Sequence, residues 1–272
     1  MSAAAPAAPA APAAAAAPAA AAPAAAKEEA AAPSGRRNLT HKTHRTHEDV
    51  PTTQMRKIIA KRLLESKLTL PHAYMTVEVE MDALLALRAK YNASKGIKAS
   101  VNDFLIKAVA ASLRAVPEAN AHWTEDAITF NSQVDVAFAA ATPAGLVTPV
   151  IREAGTKSVA AVAAEAKDMA GRARNNKLMP EEYAGGATSV SNLGMFGIHE
   201  FIAVLNPPQA SIFAVGATFP KAFPDGKGGV ETRSVMRISL SHDSRVIDDA
   251  LAEKLCGALK DIVENPGLIF AE

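Results

Sequence analysis

Met236-Arg-Ile-Ser-Leu-Ser-His-Asp-Ser-Arg-Val-Ile-Asp-Asp249 is the stretch of this chain that decides how the rest is interpreted. Every second residue from Met236 to Leu240 is apolar, which predicts a β-strand with one buried face. The strand runs into a polar turn, and an amphipathic pattern then predicts a helix from about Asp248 to Glu264. Turns at which a rigid strand delivers ionisable side chains are typical of catalytic sites. The candidate residues are His242, Asp243, Ser244, Arg245, Asp248 and Asp249.

The N-terminal segment differs from the rest of the chain. Residues 1–34 are almost entirely Ala and Pro, and the recurring prolines favour an extended, semi-rigid chain, so we predict a flexible linker. Residues 35–49 are predicted to form a basic arm. Its three histidines recur at every third position, but no carboxylate or cysteine completes a ligand set within residues 35–47, so we favour a basic arm over a metal site. Residues 50–272 are predicted to form one well-buried core domain.

The composition excludes several classes of function. The formal net charge is +1, so charge alone indicates neither a nucleic acid nor a membrane as a partner. No apolar run is long enough to suggest a transmembrane helix. The single cysteine, Cys256, rules out an intramolecular disulfide and lies within a helical pattern, where a buried structural thiol is expected.

Helical and strand patterns follow one another in an irregular order across the core domain. Helices are predicted over residues 55–67 and 158–174, and strands over residues 134–141 and 210–216. This order favours the α+β class with a mixed sheet. The sequence has no Gly-rich phosphate loop, no HExxH and no CxxC. Pattern alone therefore indicates an acyl-handling or binding domain and goes no further.

Several separated motifs resemble one known family, the acyltransferase core of the 2-oxoacid dehydrogenase complexes. Met55-Arg-Lys-Ile-Ile-Ala-Lys-Arg-Leu-Leu-Glu-Ser-Lys67 with Pro71-His-Ala-Tyr74 resembles the opening of that core. Further motifs resemble it in order: Ser100-Val-Asn-Asp-Phe-Leu-Ile-Lys107, Val116-Pro-Glu-Ala-Asn120, Thr142-Pro-Ala-Gly-Leu-Val-Thr-Pro149, Gly185-Gly186, Ser191-Asn-Leu-Gly-Met-Phe-Gly197 and Asn206-Pro-Pro-Gln-Ala210. The resemblance implies a chloramphenicol-acetyltransferase-like fold that forms trimers, placed at the vertices of a cubic or dodecahedral core. Such proteins carry lipoyl and subunit-binding domains on Ala/Pro tethers, and we expect both domains to be absent from this chain.

The family mechanism needs a base for the thiol of coenzyme A or dihydrolipoamide, and a donor for the oxyanion of the tetrahedral intermediate. The resemblance implies that the base is a histidine in the signature Asp-His-Arg-Val-Ile/Val-Asp-Gly. Here Ser244 stands at the histidine position and Asp249 at the closing glycine. A serine hydroxyl cannot take a thiol proton near neutral pH. Ser191 matches the region of the oxyanion serine, with Ser189 beside it, and Asp248 matches an aspartate that orients an arginine and the loop.

His242 is the alternative base, and it leaves two hypotheses. It is expected on the same strand face as Ser244, two residues earlier and about 6.6 Å away along an extended strand, whereas proton transfer needs contact at roughly 3 Å. The reading Asp-Ser-Arg-Val-x-Asp-Asp also resembles protein X, the non-catalytic relative within the same family. We therefore expect a non-catalytic scaffolding subunit of the pyruvate dehydrogenase core, with no functional catalytic residue and no bound cofactor. The alternative is an active dihydrolipoamide acetyltransferase that uses His242 as base and handles coenzyme A and lipoyl groups.

The resemblance also implies partners and a location. The chain is expected to form trimers with itself or with the acetyltransferase. It is expected to reach dihydrolipoamide dehydrogenase only through a domain that this chain lacks. No nucleic acid, membrane or metal is expected as a partner. The mitochondrial matrix is the expected compartment, on the resemblance to protein X alone.

Overall fold

The computed structural model describes residues 49–142 and 145–270. The linker predicted over residues 1–34, and all but the last residue of the basic arm 35–49, lie outside these ranges. The helices are α1 (Gln54–Thr69), α2 (Asp82–Lys95), α3 (Val101–Ala115), α4 (Val159–Arg174) and α5 (Asp249–Glu264). The strands are β1 (His72–Glu80), β2 (Ala121–Trp123), β3 (Ile128–Phe130), β4 (Val136–Phe138), β5 (Ala140–Thr142), β6 (Gly145–Val147), β7 (Val150–Ile151), β8 (Thr188–Asn192), β9 (Ser211–Pro224) and β10 (Val230–Asp243). Within the described ranges, no helix is both long and apolar enough to cross a membrane.

Six of the strands form one mixed sheet in the order β1-β10-β9-β8-β4-β7. The pairs β4–β8 and β8–β9 are parallel, and the other three pairs are antiparallel. β2–β3 and β5–β6 form two separate two-stranded ribbons. The prediction of an α+β fold with a mixed sheet is confirmed.

Two helices build most of the core against this sheet. α3 begins with a capping box, in which Ser100 Oγ accepts from the Asp103 amide and the Asp103 carboxylate accepts from the Ser100 amide. α5 buries Leu255, Leu259 and Val263, which lie four residues apart on one face. Cys256 is buried beside them, and burial raises the pKa of its thiol to about 12. The prediction that this thiol is buried is confirmed.

The β9–β10 hairpin is much longer than the apolar segment predicted over residues 210–216. Both strands have 14 residues, and their outer ends, beyond Thr218 on β9, are largely exposed. The hairpin closes at Asp225, whose carboxylate accepts from the amides of Lys227 and Gly229. A hydrophobic pattern finds only the half of β9 that lies in the core, because the remaining half is held by backbone pairing and by this turn.

Candidate functional site

β10 delivers His242 to the interior of the protein. In the sheet it lies between Ala73 of β1 and Ser211 of β9, and its side chain is completely buried. Nδ1 lies 2.7 Å from the carbonyl oxygen of Ile247, so Nδ1 must carry the proton that it donates. Nε2 is buried and has no hydrogen-bond partner among the described residues. Burial lowers the pKa of His242, although this hydrogen bond and the nearby carboxylates oppose the shift. The ring is thus neutral, with a free lone pair on Nε2.

Ser244 lies just beyond the end of β10, on the protein surface. β10 ends at Asp243, and Ser244 is exposed in the following turn. Its amide and its hydroxyl both donate to the carbonyl oxygen of Pro71, each at 3.1 Å. The expectation that His242 and Ser244 share one strand face is wrong, because the strand has ended before Ser244. One residue of this pair is in the core and the other faces solvent.

The rest of the turn is held by carboxylates in two separate roles. Asp243 is only 1% exposed, and its carboxylate accepts from Nε of Arg245 at 3.0 Å and from Nη2 at 2.7 Å. This pairing raises the pKa of Arg245. Asp248 caps α5 instead, accepting from the amide of Leu251 at 2.7 Å. The expectation that Asp248 orients an arginine is therefore corrected, since Asp243 has that role. Asp249 is exposed in the first turn of α5 without a positive φ, so its replacement of glycine introduces no backbone strain.

Ser191 lies two strands away, on β8, and is half-buried. It lines a cavity of about 610 Å³ whose walls include Ile59 and Leu63 of α1. It also lines a second cavity of about 610 Å³ that Asn102 and Phe196 help to form. Ser191 is thus placed where a small thioester could reach its hydroxyl.

Ser189, the neighbouring candidate on β8, is already engaged. Its buried hydroxyl donates to Oε1 of Gln209, and Nε2 of Gln209 donates to the carbonyl oxygen of Gly185 at 2.9 Å. This hydroxyl is therefore already bound within the protein. Ser189 also lines the first cavity, whereas Ser191 lines both cavities.

The structure does not bring Ser191 and the β10 turn together within one chain. Ser191 pairs with Ala214 of β9, which pairs with Ser239 of β10, three residues before His242. Three residues along a strand and two strands across each correspond to about 10 Å, so ideal strand spacing puts the Cα atoms of Ser191 and His242 about 14 Å apart. One subunit alone cannot apply both groups to the same thioester.

Trp123 is a residue near the turn that the sequence analysis missed. Its ring centroid lies 4.8 Å from Cζ of Arg245. β2, which carries it, is only three residues long, and such a short element gives no periodic signal. Its place beside the turn follows from tertiary packing alone.

Residues 44–271 match the family described as 2-oxoacid dehydrogenases acyltransferase (catalytic domain). The chain belongs to this family. The chain is 50% identical over 224 residues to the dihydrolipoyllysine-residue acetyltransferase component of the mitochondrial pyruvate dehydrogenase complex of Schizosaccharomyces pombe. It is 47% identical over 228 residues to the corresponding component of Rhizobium meliloti. These alignments cover 81% of this chain but 46% and 51% of the relatives, so the chain spans about half the length of the curated relatives it matches.

Solved structures of acyltransferase cores have the same fold. The dihydrolipoamide acetyltransferase of Azotobacter vinelandii aligns with a TM-score of 0.77 at 32% identity, covering 82% of this chain and 93% of that one. A serine, a histidine and an asparagine have been investigated for their roles in the catalytic mechanism of that enzyme. The cubic core of a pyruvate dehydrogenase multienzyme complex aligns equally well, also with a TM-score of 0.77 at 32% identity and the same coverage. The predicted acyltransferase-core fold is confirmed.

The comparisons contradict the prediction of a non-catalytic scaffolding subunit. Relatives 50% and 47% identical to this chain are named as the acetyltransferase component itself. They favour the alternative hypothesis of an active acetyltransferase, and they do not show the resemblance to protein X. Ser244 is a single position, whereas the agreement with these relatives extends over more than 220 residues.

Proposed function

We propose that this chain is the acetyltransferase core domain of a pyruvate dehydrogenase complex, and that it transfers acetyl groups between dihydrolipoyl groups and coenzyme A. The observation that carries the proposal is the 50% identity, over 81% of the chain, to a protein named for that activity. The cavities that meet at Ser191 support it, because they give a thioester access to a hydroxyl donor.

The reaction divides between a base and an oxyanion donor. In the proposed mechanism, Nε2 of His242 takes the proton of the incoming thiol, and the sulfur attacks the thioester carbonyl. The hydroxyl of Ser191 donates to the oxyanion that forms. When the intermediate collapses, the other thiolate leaves and takes the proton back from the imidazolium. No further reactant is needed, since one thioester is exchanged for another.

The burial of His242 makes this base slow. The ring is completely buried and its Nδ1 is bound to the carbonyl oxygen of Ile247, so a thiol reaches Nε2 only after a local rearrangement around the ring. Proton transfer by a well-placed side chain is worth about 10²- to 10⁴-fold. Turnover should therefore fall below that of a histidine-bearing relative by up to this factor.

The site also requires a second copy of the chain. Ser191 and His242 lie about 14 Å apart in one subunit, so the turn of one copy would meet Ser191 of another. α1 exposes apolar side chains against which a neighbouring subunit could pack: Met55, Ile58, Leu63, Leu64 and Leu68. We propose trimers within a cubic or dodecahedral core, with dihydrolipoamide dehydrogenase as a partner of the whole assembly. A native mass that is not a multiple of three chains would contradict this arrangement.

The compartment is also a proposal, supported by some of the relatives. The Schizosaccharomyces pombe and Caenorhabditis elegans relatives are named as mitochondrial, whereas the Rhizobium meliloti relative is bacterial. We propose the mitochondrial matrix for this chain. Finding the tagged protein in another compartment of its own cell would contradict it.

The test of the activity uses the full chain with acetyl-CoA and dihydrolipoamide. We expect acetyl transfer, with kcat rising with pH through a pKa below the usual value of about 6.5 for histidine. His242→Asn should abolish transfer, because the amide can still donate to Ile247 but cannot take a proton. A His242→Asn, Ser191→Ala double variant, purified in the same way, controls for host acetyltransferases. Absence of transfer by the wild-type chain, or undiminished transfer by His242→Asn, would contradict the proposal.

A further inference from the structure

The turn that carries Ser244 is held through the side chain of Arg245. Two of its guanidinium nitrogens bind the buried carboxylate of Asp243, and its backbone amide binds the same carboxylate at 3.1 Å. Cζ of Arg245 lies over the ring of Trp123, 4.8 Å from the ring centroid. We propose that Trp123 is a positioning residue, which holds Arg245 against Asp243 and thereby fixes the turn beside the reacting groups.

The physical reason lies in what surrounds the Arg245–Asp243 pair. Asp243 is 1% exposed and its carboxylate is paired with this guanidinium, whereas the Arg245 side chain is 32% exposed. An aromatic face attracts a cation and also shields it from water, which strengthens a neighbouring ion pair. Leucine in place of Trp123 would leave the Arg245 side chain free to turn towards solvent.

The placement of Trp123 favours this role over simple core packing. Trp123 is the last residue of β2 and pairs only with Ile128 of the β2–β3 ribbon. Its ring remains 38% exposed, so it fills little of the core. Loss of the ring should therefore disturb the turn more than the stability of the domain.

The kinetic test rests on the proposed function and compares two variants. Trp123→Leu should lower kcat about 10-fold and leave the KM for acetyl-CoA within about twofold, because the turn is misplaced while the cavities are intact. Trp123→Phe keeps an aromatic face and should retain kcat within about threefold. If the wild-type chain transfers acetyl groups and Trp123→Leu does so equally well, the inference is wrong.

A second readout does not depend on activity. Trp123 is the only tryptophan of the chain, so its fluorescence reports on this contact alone. Arg245→Lys keeps the charge on Asp243 but removes the planar group, and we expect the acrylamide quenching constant of Trp123 to rise about twofold. Arg237→Lys is the matched control, because Cζ of Arg237 lies 5.9 Å from the ring centroid of Phe219 and not over Trp123. This variant should leave the quenching constant unchanged. Equal quenching in wild type and Arg245→Lys would overturn the inference, whether or not the chain proves active.

Discussion

Two strands of one sheet, β8 and β10, carry the candidate site. They differ in how closely their residues match those that the family resemblance implies. β8 places Ser191, which the family resemblance implies as the oxyanion serine, against two cavities. The turn after β10 is held by the Asp243–Arg245 pair and the Asp248 cap, yet Ser244 stands where the resemblance implies a histidine base. None of the contacts that hold this turn requires a histidine at position 244. The shape of a catalytic turn and its chemistry can therefore change independently.

The largest effect is expected from restoring the base to the β10 turn. In Ser244→His combined with Asp249→Gly, an exposed imidazole would replace a hydroxyl that now donates to Pro71. We expect kcat for acetyl transfer to rise by about 10²- to 10⁴-fold, because a general base placed at the reacting thiol contributes that much. Steady-state kinetics with acetyl-CoA and dihydrolipoamide would measure it.

Two control variants separate the base from the space around it. Ser244→Gln has a side chain of similar size without a titratable group, and Asp249→Gly alone removes only a carboxylate. Neither should raise kcat by more than a few-fold. Equal gains in these controls, or no gain in the double variant, would show that position 244 does not face the reacting thiol.

The next largest effect concerns β8 and compares two neighbouring serines. Ser191→Ala should lower kcat about 10²- to 10³-fold with little change in stability, because it removes the oxyanion donor. Ser189→Ala should leave kcat nearly unchanged but lower the free energy of unfolding by about 1–3 kcal/mol, because Oε1 of Gln209 loses its buried donor. Kinetics and chemical denaturation of the two variants would decide. A larger kinetic loss for Ser189→Ala would reverse the assignment of the two hydroxyls.

The fold could be predicted from the sequence wherever one local interaction determines an element. The capping box at Ser100 predicts the start of α3, and the alternation from Met236 to Leu240 predicts β10. The sequence also predicts Asp82 as the N-cap of α2, because Asp is a common capping residue. This prediction is wrong, because Met81 is the N-cap and the Asp82 carboxylate accepts instead from the amide of Ser234, 152 residues away. Interactions between distant parts of the chain leave no local pattern.

The same limit applies to the candidate site. The sequence located Ser191 and the β10 turn, because family motifs surround both. It could not show that His242 is buried while Ser244 is exposed, since this depends on the residue at which β10 ends. It also could not show Trp123 over Arg245, since a three-residue ribbon strand is placed only by tertiary contacts.

The smallest expected effect is the contribution of buried His242 to the pH dependence of the free energy of unfolding. The exposed Ser244 should make no such contribution. Burial lowers the pKa of His242 in the folded protein, so the unfolded chain binds the proton more readily. Its contribution to stability is therefore fully present above the unfolded pKa of about 6.5 and is lost as the pH falls below that value. One such group changes the free energy of unfolding by at most about 1.4 kcal/mol per pH unit.

Chemical denaturation between pH 5 and 8 would measure this dependence as a difference between two proteins. Wild type should lose stability below about pH 6.5, relative to His242→Asn, which keeps a donor for Ile247 and cannot titrate. Subtracting the unfolding free energies of the two proteins at each pH removes the contribution of the other histidines, because both proteins contain them. By contrast, Ser244→Asn in the exposed turn should leave the pH dependence of the unfolding free energy as in wild type. If His242→Asn had the same pH dependence as wild type, the imidazole would have to be hydrated in the folded state. A thiol could then reach Nε2 without a local rearrangement around the ring.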